Sequence, residues 1–165
     1  MSSPPPSLDS VQLEAYFALM EVAGLLRHAV EQQLREDGDL SYVQFQVLAR
    51  LGLDSPTGSE RMTDLADGVV YSRSGLTYQA GLLDKAGLVS RAPSVDDERS
   101  ITVTITEAGR ARLAQVLPGH VEVLRRQLFA PMASADVQAL RDVLSPVRSH
   151  MRAAPPRSAG SRRRS

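Results

Sequence analysis

The sequence predicts a mainly α-helical fold with a small β-hairpin wing, that is, a winged helix-turn-helix unit with longer helices at either end. Residues 61–69 and 72–85 are two short segments with apolar positions at helical spacing, joined by a link that leaves room only for a turn. Residues 101–106 alternate Ile101, Val103 and Ile105 with Thr102, Thr104 and Thr106, the period of a strand with one buried face. Longer amphipathic stretches lie on both sides of this unit.

In chain order, residues 1–10 (MSSPPPSLDS) are rich in Pro and Ser and are expected to be disordered. A single domain is expected over 11–152. It opens with a helix over 11–36 in which Leu13, Tyr16, Phe17, Met20, Ala23, Gly24, Leu26 and Val30 follow a helical repeat. Residues 37–40 interrupt it, and Ser41 is placed to cap a helix over 42–53 whose Phe45, Val47, Leu48 and Leu51 face a core. After a loop over 54–59, the residues Met62, Leu65, Ala66 and Val69 mark the first helix of the turn motif, with Thr63 near its start. Ser72 caps the second, because its hydroxyl can accept from an amide that every helix start leaves unpaired. Leu76, Ala80 and Leu83 form the buried stripe of that helix. Lys85 suits the negative end of the helix dipole, and Gly87 permits the positive φ that ends it.

Strands are expected over 88–92 and 100–105, with the polar run 93–99 as the hairpin tip. A helix over 107–129 follows, and Pro118 predicts a kink or break near 114–118, since proline removes one backbone bond and crowds the preceding turn. The last helix runs from 134 to about 151, with Pro146 a second point of distortion. The winged helix thus covers about 41–106. The helices over 11–36 and 107–152 carry more apolar surface than one such unit buries, which favours a homodimer built from them. Residues 153–165 include Arg157, Arg162, Arg163 and Arg164 with no acid, a tail expected to be disordered and suited to nonspecific phosphate contact.

Composition narrows the function. The chain of 165 residues has no cysteine, which excludes disulfides, thiolate metal sites and a thiol switch. It has no apolar run of the ~18 residues that span a bilayer and no signal-like start, so a cytoplasmic protein without membrane association is expected. Catalysis is not expected. The three histidines, His28, His120 and His150, are far apart and lack metal-ligand spacing, and neither a nucleophile motif nor a phosphate or dinucleotide loop is present. No metal or cofactor is implied.

What remains is a surface for a partner. Opposite the buried stripe of the 72–85 helix lie Ser74, Thr77, Tyr78, Gly81 and Lys85, with Arg73 near the start, and no acid occurs between 69 and 83. Small hydroxyls, a Tyr and a cation approach base edges and phosphates without charge repulsion, so Ser72, Arg73, Ser74, Thr77 and Tyr78 are the candidate contacts to double-stranded DNA. Net charge opposes this reading. Formal charge is zero, and from Arg61 to Arg112 seven basic residues (61, 73, 85, 91, 99, 110, 112) meet seven acidic ones (64, 67, 84, 96, 97, 98, 107). A dimeric protein-interaction module is therefore the alternative, unless Arg73, Lys85, Arg91 and Arg99 share one surface.

The runs SRSGLT, LLDKAGLVSR, DDER and ITVTITEAG, in this order and spacing, resemble the multiple antibiotic resistance regulator (MarR) family of bacterial transcription factors over roughly 13–151. Asp97 and Arg99 match the family's Asp-x-Arg of the wing, and Ile105, Thr106 and Gly109 match its Leu-Thr-x-x-Gly turn, with Ile for Leu. The resemblance implies a homodimer of intertwined terminal helices reading an inverted repeat, with Arg99 in the minor groove and Asp97 orienting it by a charge-assisted bond. Tyr78 stands where many relatives have Arg, and Glu98 where Arg is frequent. The family also implies a small aromatic effector between the dimerisation helices and the winged helix, where Tyr16, Phe17, Met20, His28, Tyr42 and Phe45 are the candidates. Such an effector would act by favouring a DNA-incompetent spacing, as in a repressor.

Overall fold

A computed structural model describes residues 7–153 except Val70, together with every side chain in that range except that of Glu98. Helix α1 (Ser10–Gly38) starts from a capping box, in which Asp9 accepts from the Gln12 amide while the Gln12 side chain accepts from the Asp9 amide. Asp9 and Ser10 therefore belong to the helix start, not to the leading segment expected to be disordered, and residues 1–6 of that segment lie outside the described range. Asp39 adopts φ 50° at the C-cap, where its backbone N–H donates to Arg35. Helix α2 (Tyr42–Ala49) repeats the capping box with Ser41 and Gln44, and it ends in a π turn over Arg50–Asp54.

Next comes β1 (Ser59–Arg61), followed by α3 (Met62–Gly68), α4 (Arg73–Lys85), β2 (Val89–Ser94) and β3 (Asp97–Ile105). The sheet is antiparallel in the order β1-β3-β2. Strand β1 was not expected, because Ser-Glu-Arg has no apolar alternation. Its order comes from β3, with the Ser59 and Thr104 hydroxyls 2.7 Å apart. The hairpin tip is also shorter than the polarity of 93–99 suggested. Only Val95 and Asp96 join the strands, and a register shift at Pro93/Ser94 takes up residues 98–100 as a bulge.

Thr106 joins wing to helix. It accepts from Gly109 N–H at 3.0 Å as the cap of α5 (Glu107–Leu124) and donates to the Gly87 carbonyl at 2.7 Å, where Gly87 has φ 72°. A π turn over Arg125–Phe129 and then α6 (Ser134–Ala153) complete the described chain. Helix α5 passes through Pro118 without the break expected there, and α6 likewise passes through Pro146. In each helix the residue four positions earlier, Ala114 or Asp142, is exposed, so the carbonyl that proline deprives of a partner can turn to water.

One core serves the whole unit. Leu48 and Leu51 from α2 and its π turn, Leu65 from α3, Leu76 and Leu83 from α4, Val103 from β3 and Val116 from α5 are buried together with Leu34 of α1. Helices α1 and α5 are stitched by Gln33 Nε2, which donates to Val116 O at 3.0 Å, and by Arg112, which donates to Gly38 O. The outer part of α1 and all of α6 contribute no buried side chain.

Candidate nucleic-acid interface

Helix α4 is held by its buried stripe and presents the rest to solvent. Leu76, Ala80 and Leu83 are almost wholly buried, whereas Arg73, Ser74, Thr77, Tyr78 and Lys85 are exposed. The Ser72 hydroxyl accepts from Gly75 N–H at 3.2 Å, which fixes the helix start and leaves its own O–H to donate. Thr77 Oγ1 donates to the Arg73 carbonyl at 2.8 Å, so toward a ligand it offers lone pairs. Tyr71, which sequence reasoning passed over, lies against Gly75, where a Cβ would meet its ring. An aromatic next to a helix N-terminus and a small residue four positions on is the pattern that would have singled it out.

The charges are shared unevenly. Arg91 pairs with Asp84 at 3.0 Å, its guanidinium lying over Gly81, where a Cβ would be 3.7 Å away. Arg61 reaches Asp96 at 3.5 Å. Arg91 is therefore committed to clamping the wing on α4, while Arg73, Lys85 and Arg99 have no ion pair among the described residues. The Asp97 carboxylate does not orient Arg99 through its guanidinium as expected. It accepts from the Arg99 backbone N–H at 3.0 Å, because Arg99 lies in the bulge and its side chain projects outward.

The expected effector residues are not brought together. Tyr16 and Phe17 lie against each other, ring centroids 5.3 Å apart, on an open face of α1, and Met20 and His28 are exposed as well. Only Tyr42 and Phe45 line a cavity of about 270 Å³, shared with Arg50, Asp54, Val69 and His120. His120 was not expected there, since nothing in its spacing marks it. Its ring packs on Phe45 at 4.5 Å, its buried Nδ1 has no partner, and burial holds the imidazole below its ordinary pKa. Tyr42 also carries the Arg27 guanidinium over its ring at 5.2 Å.

No family model matches the chain. Among curated proteins it is similar to the HTH-type transcriptional repressor YetL of Bacillus subtilis, 32% identical over 117 residues that cover 69% of this chain and 67% of that protein. Among solved structures it is similar to AbsC, a MarR family transcriptional regulator from Streptomyces coelicolor, with TM-score 0.81, 30% identity and coverage of 89% of this chain and 98% of that one. It is also similar to Sco3205, a MarR family transcriptional regulator from the same organism solved in complex with DNA, with TM-score 0.82, 27% identity and coverage of 90% and 92%. With the winged fold, the order of its elements and these relatives in agreement, the chain belongs to the MarR family of transcriptional regulators.

Proposed function

We propose that this DNA-binding regulator acts as a homodimeric, ligand-responsive repressor that reads an inverted-repeat operator, placing one α4 helix in each of two successive major grooves. The observation that carries this reading is the division of exposed surface. Helix α4 offers an acid-free face of Arg73, Ser74, Thr77 and Tyr78, and α1 and α6 expose the apolar residues that a second copy would cover. Ser72, Arg73, Ser74, Thr77, Tyr78 and Lys85 are assigned to base edges and flanking phosphates, and Arg99 to the minor groove, with Asp97 shaping the bulge that presents it. No helix among the described residues is long and apolar enough to cross a membrane.

Of the six expected effector residues, Tyr42 and Phe45 are retained. A cavity of about 270 Å³, with aromatic walls and an unpartnered imidazole nitrogen on His120, suits one small aromatic ring bearing a hydrogen-bonding substituent. The test is a fluorescence-anisotropy titration on DNA from upstream of the protein's own gene, with Arg73→Ala and Arg99→Ala as variants. Specific, salt-sensitive binding that weakens in both variants, by about 1–3 kcal/mol where a base contact is lost, supports the assignment. A folded dimer with no sequence preference, and variants that behave as the wild type, would favour the protein-interaction module.

A further inference from the structure

The outward stripe of α4 has a gap. Ser74, Tyr78, Gly81 and Lys85 follow one another at spacings of four, three and four residues, which stacks them on one side of the helix. Ser74, Tyr78 and Lys85 are exposed, but Gly81, which has no side chain of its own, is half-buried. Between Arg73 and Lys85 the helix carries no cation. What covers Gly81 is a cation from another element.

Strand β2 supplies it. Arg91 stands opposite Val103 on β3, so the two side chains leave the hairpin on one face, and Val103 is fully buried. That face carries the Arg91 stem to the flank of α4, where the guanidinium lies across the empty position. A Cβ at Gly81 would be 3.7, 3.8 and 3.9 Å from Nη1, Nη2 and Cζ, distances so nearly equal that the plane must lie flat on the helix. Nε donates to Asp84 Oδ2 at 3.0 Å. Nη1 and Nη2 have no hydrogen-bond partner among the described residues, and the side chain is 33% exposed. The clamp between wing and helix therefore occupies one edge of the guanidinium and leaves the other to donate.

We propose that Arg91 is a base-reading residue, held by Asp84 at position 81 of the α4 stripe so that Nη1 and Nη2 donate to O6 and N7 of a guanine in the major groove. This inference deepens the operator reading above and rests on it. A phosphate can be met by a flexible cation at the rim, as Lys85 is placed to do. A guanidinium laid on the reading stripe and held through Nε has given up that freedom. It offers two N–H donors in a fixed direction, the match for the paired acceptors of a guanine edge. Asp84 is thus a positioning residue, and the absence of a side chain at Gly81 makes room for the one that β2 provides.

The test is a selection of binding sites by the full chain from a random duplex pool, then anisotropy on the selected duplex and on its single-base-pair replacements. Wild type is compared with Arg91→Lys, Arg91→Ala and Asp84→Ala, and urea midpoints are taken for all four. Each selected half-site should contain one G·C pair whose replacement weakens wild-type binding about 5–150-fold. In Arg91→Lys and Arg91→Ala that penalty should vanish while the penalties at other positions stay. Asp84→Ala, which keeps the guanidinium but lets it turn, should reduce the same penalty and no other. Arg91→Ala that keeps every penalty and lowers the slope of log affinity against log salt by about 0.9 per protomer would mean a phosphate contact and overturns the proposal. Penalties that fall together at all positions, with a lower urea midpoint, would mean that Arg91 only holds the wing, and overturn it as well. A wild type that selects no sequence refutes the operator reading and the guanine contact together. A wild type that selects a site, with Arg91→Lys keeping every penalty, refutes the guanine contact alone.

Discussion

The two halves of α1 share one helix and one kind of side chain, but not one environment. In the inner half Val30 and Leu34 are 2% and 0% exposed, packed with α2 and α5. In the outer half Leu13, Tyr16, Phe17, Met20 and Leu25 are 40–66% exposed. Helical periodicity says that a face is to be buried and leaves open what buries it. Within one chain, α5 and the winged unit reach only the inner half, and α6 has the same unspent character, with Val143 and Val147 at 64% and 48% exposed. The inner half thus belongs to the fold of the protomer, and the outer half is left uncovered by it.

Cutting into each half should give unequal results. Leu34→Ala removes a fully buried side chain where α1 meets α5 and should destabilise the chain by about 2–5 kcal/mol in urea or thermal unfolding. Leu25→Ala, on the outer half, should stay within about 0.5 kcal/mol at protein concentrations low enough to keep the chain monomeric. Equal losses at both positions would mean that the outer half is buried by its own chain. The next effect is on assembly. Phe17→Glu with Val143→Glu should convert a dimer into a folded monomer, read by sedimentation, with the helical circular dichroism unchanged and binding to an inverted repeat much weaker, because two linked reading helices become one. A dimer that survives both charges would place the interface elsewhere.

Much of this architecture was legible in residue chemistry. Ser41, Ser72 and Gly87 mark the helix ends where they fall, and the Leu76, Ala80 and Leu83 stripe orients α4, because caps and periodicity are local properties. What escaped was non-local. Strand β1 takes its order from β3, the wing bulge from a register that only the paired strands define, and the tie of Arg91 to Asp84 from the way β2 packs on α4. The aromatic residues of α1 suggested a cleft, since periodicity cannot tell an interface from a ligand wall. The residue that does sit in the cavity, His120, carries no mark in the sequence.

His120 gives the smallest expected effect and the finest probe of the inner region. Its Nδ1 is buried without a partner and its ring lies on Phe45, so burial favours the neutral imidazole and holds its pKa below the ordinary value. In the unfolded chain the ordinary value of about 6.5 returns. Between those two values the unfolded state binds more protons than the folded one, so this contribution is complete above about pH 6.5 and is lost as pH falls toward the lowered folded value. The melting temperature should therefore drop more between about pH 7.5 and pH 5.5 in the wild type than in His120→Phe, which keeps a ring against Phe45 but cannot be protonated. The difference should be small, because the imidazole keeps partial access to solvent and water screens its charge. Parallel drops in the two proteins would show that the ring titrates as in water and that the junction of α2 and α5 is open in solution. A larger drop in the wild type would establish that packing beside Phe45 desolvates the imidazole enough to disfavour its charged form.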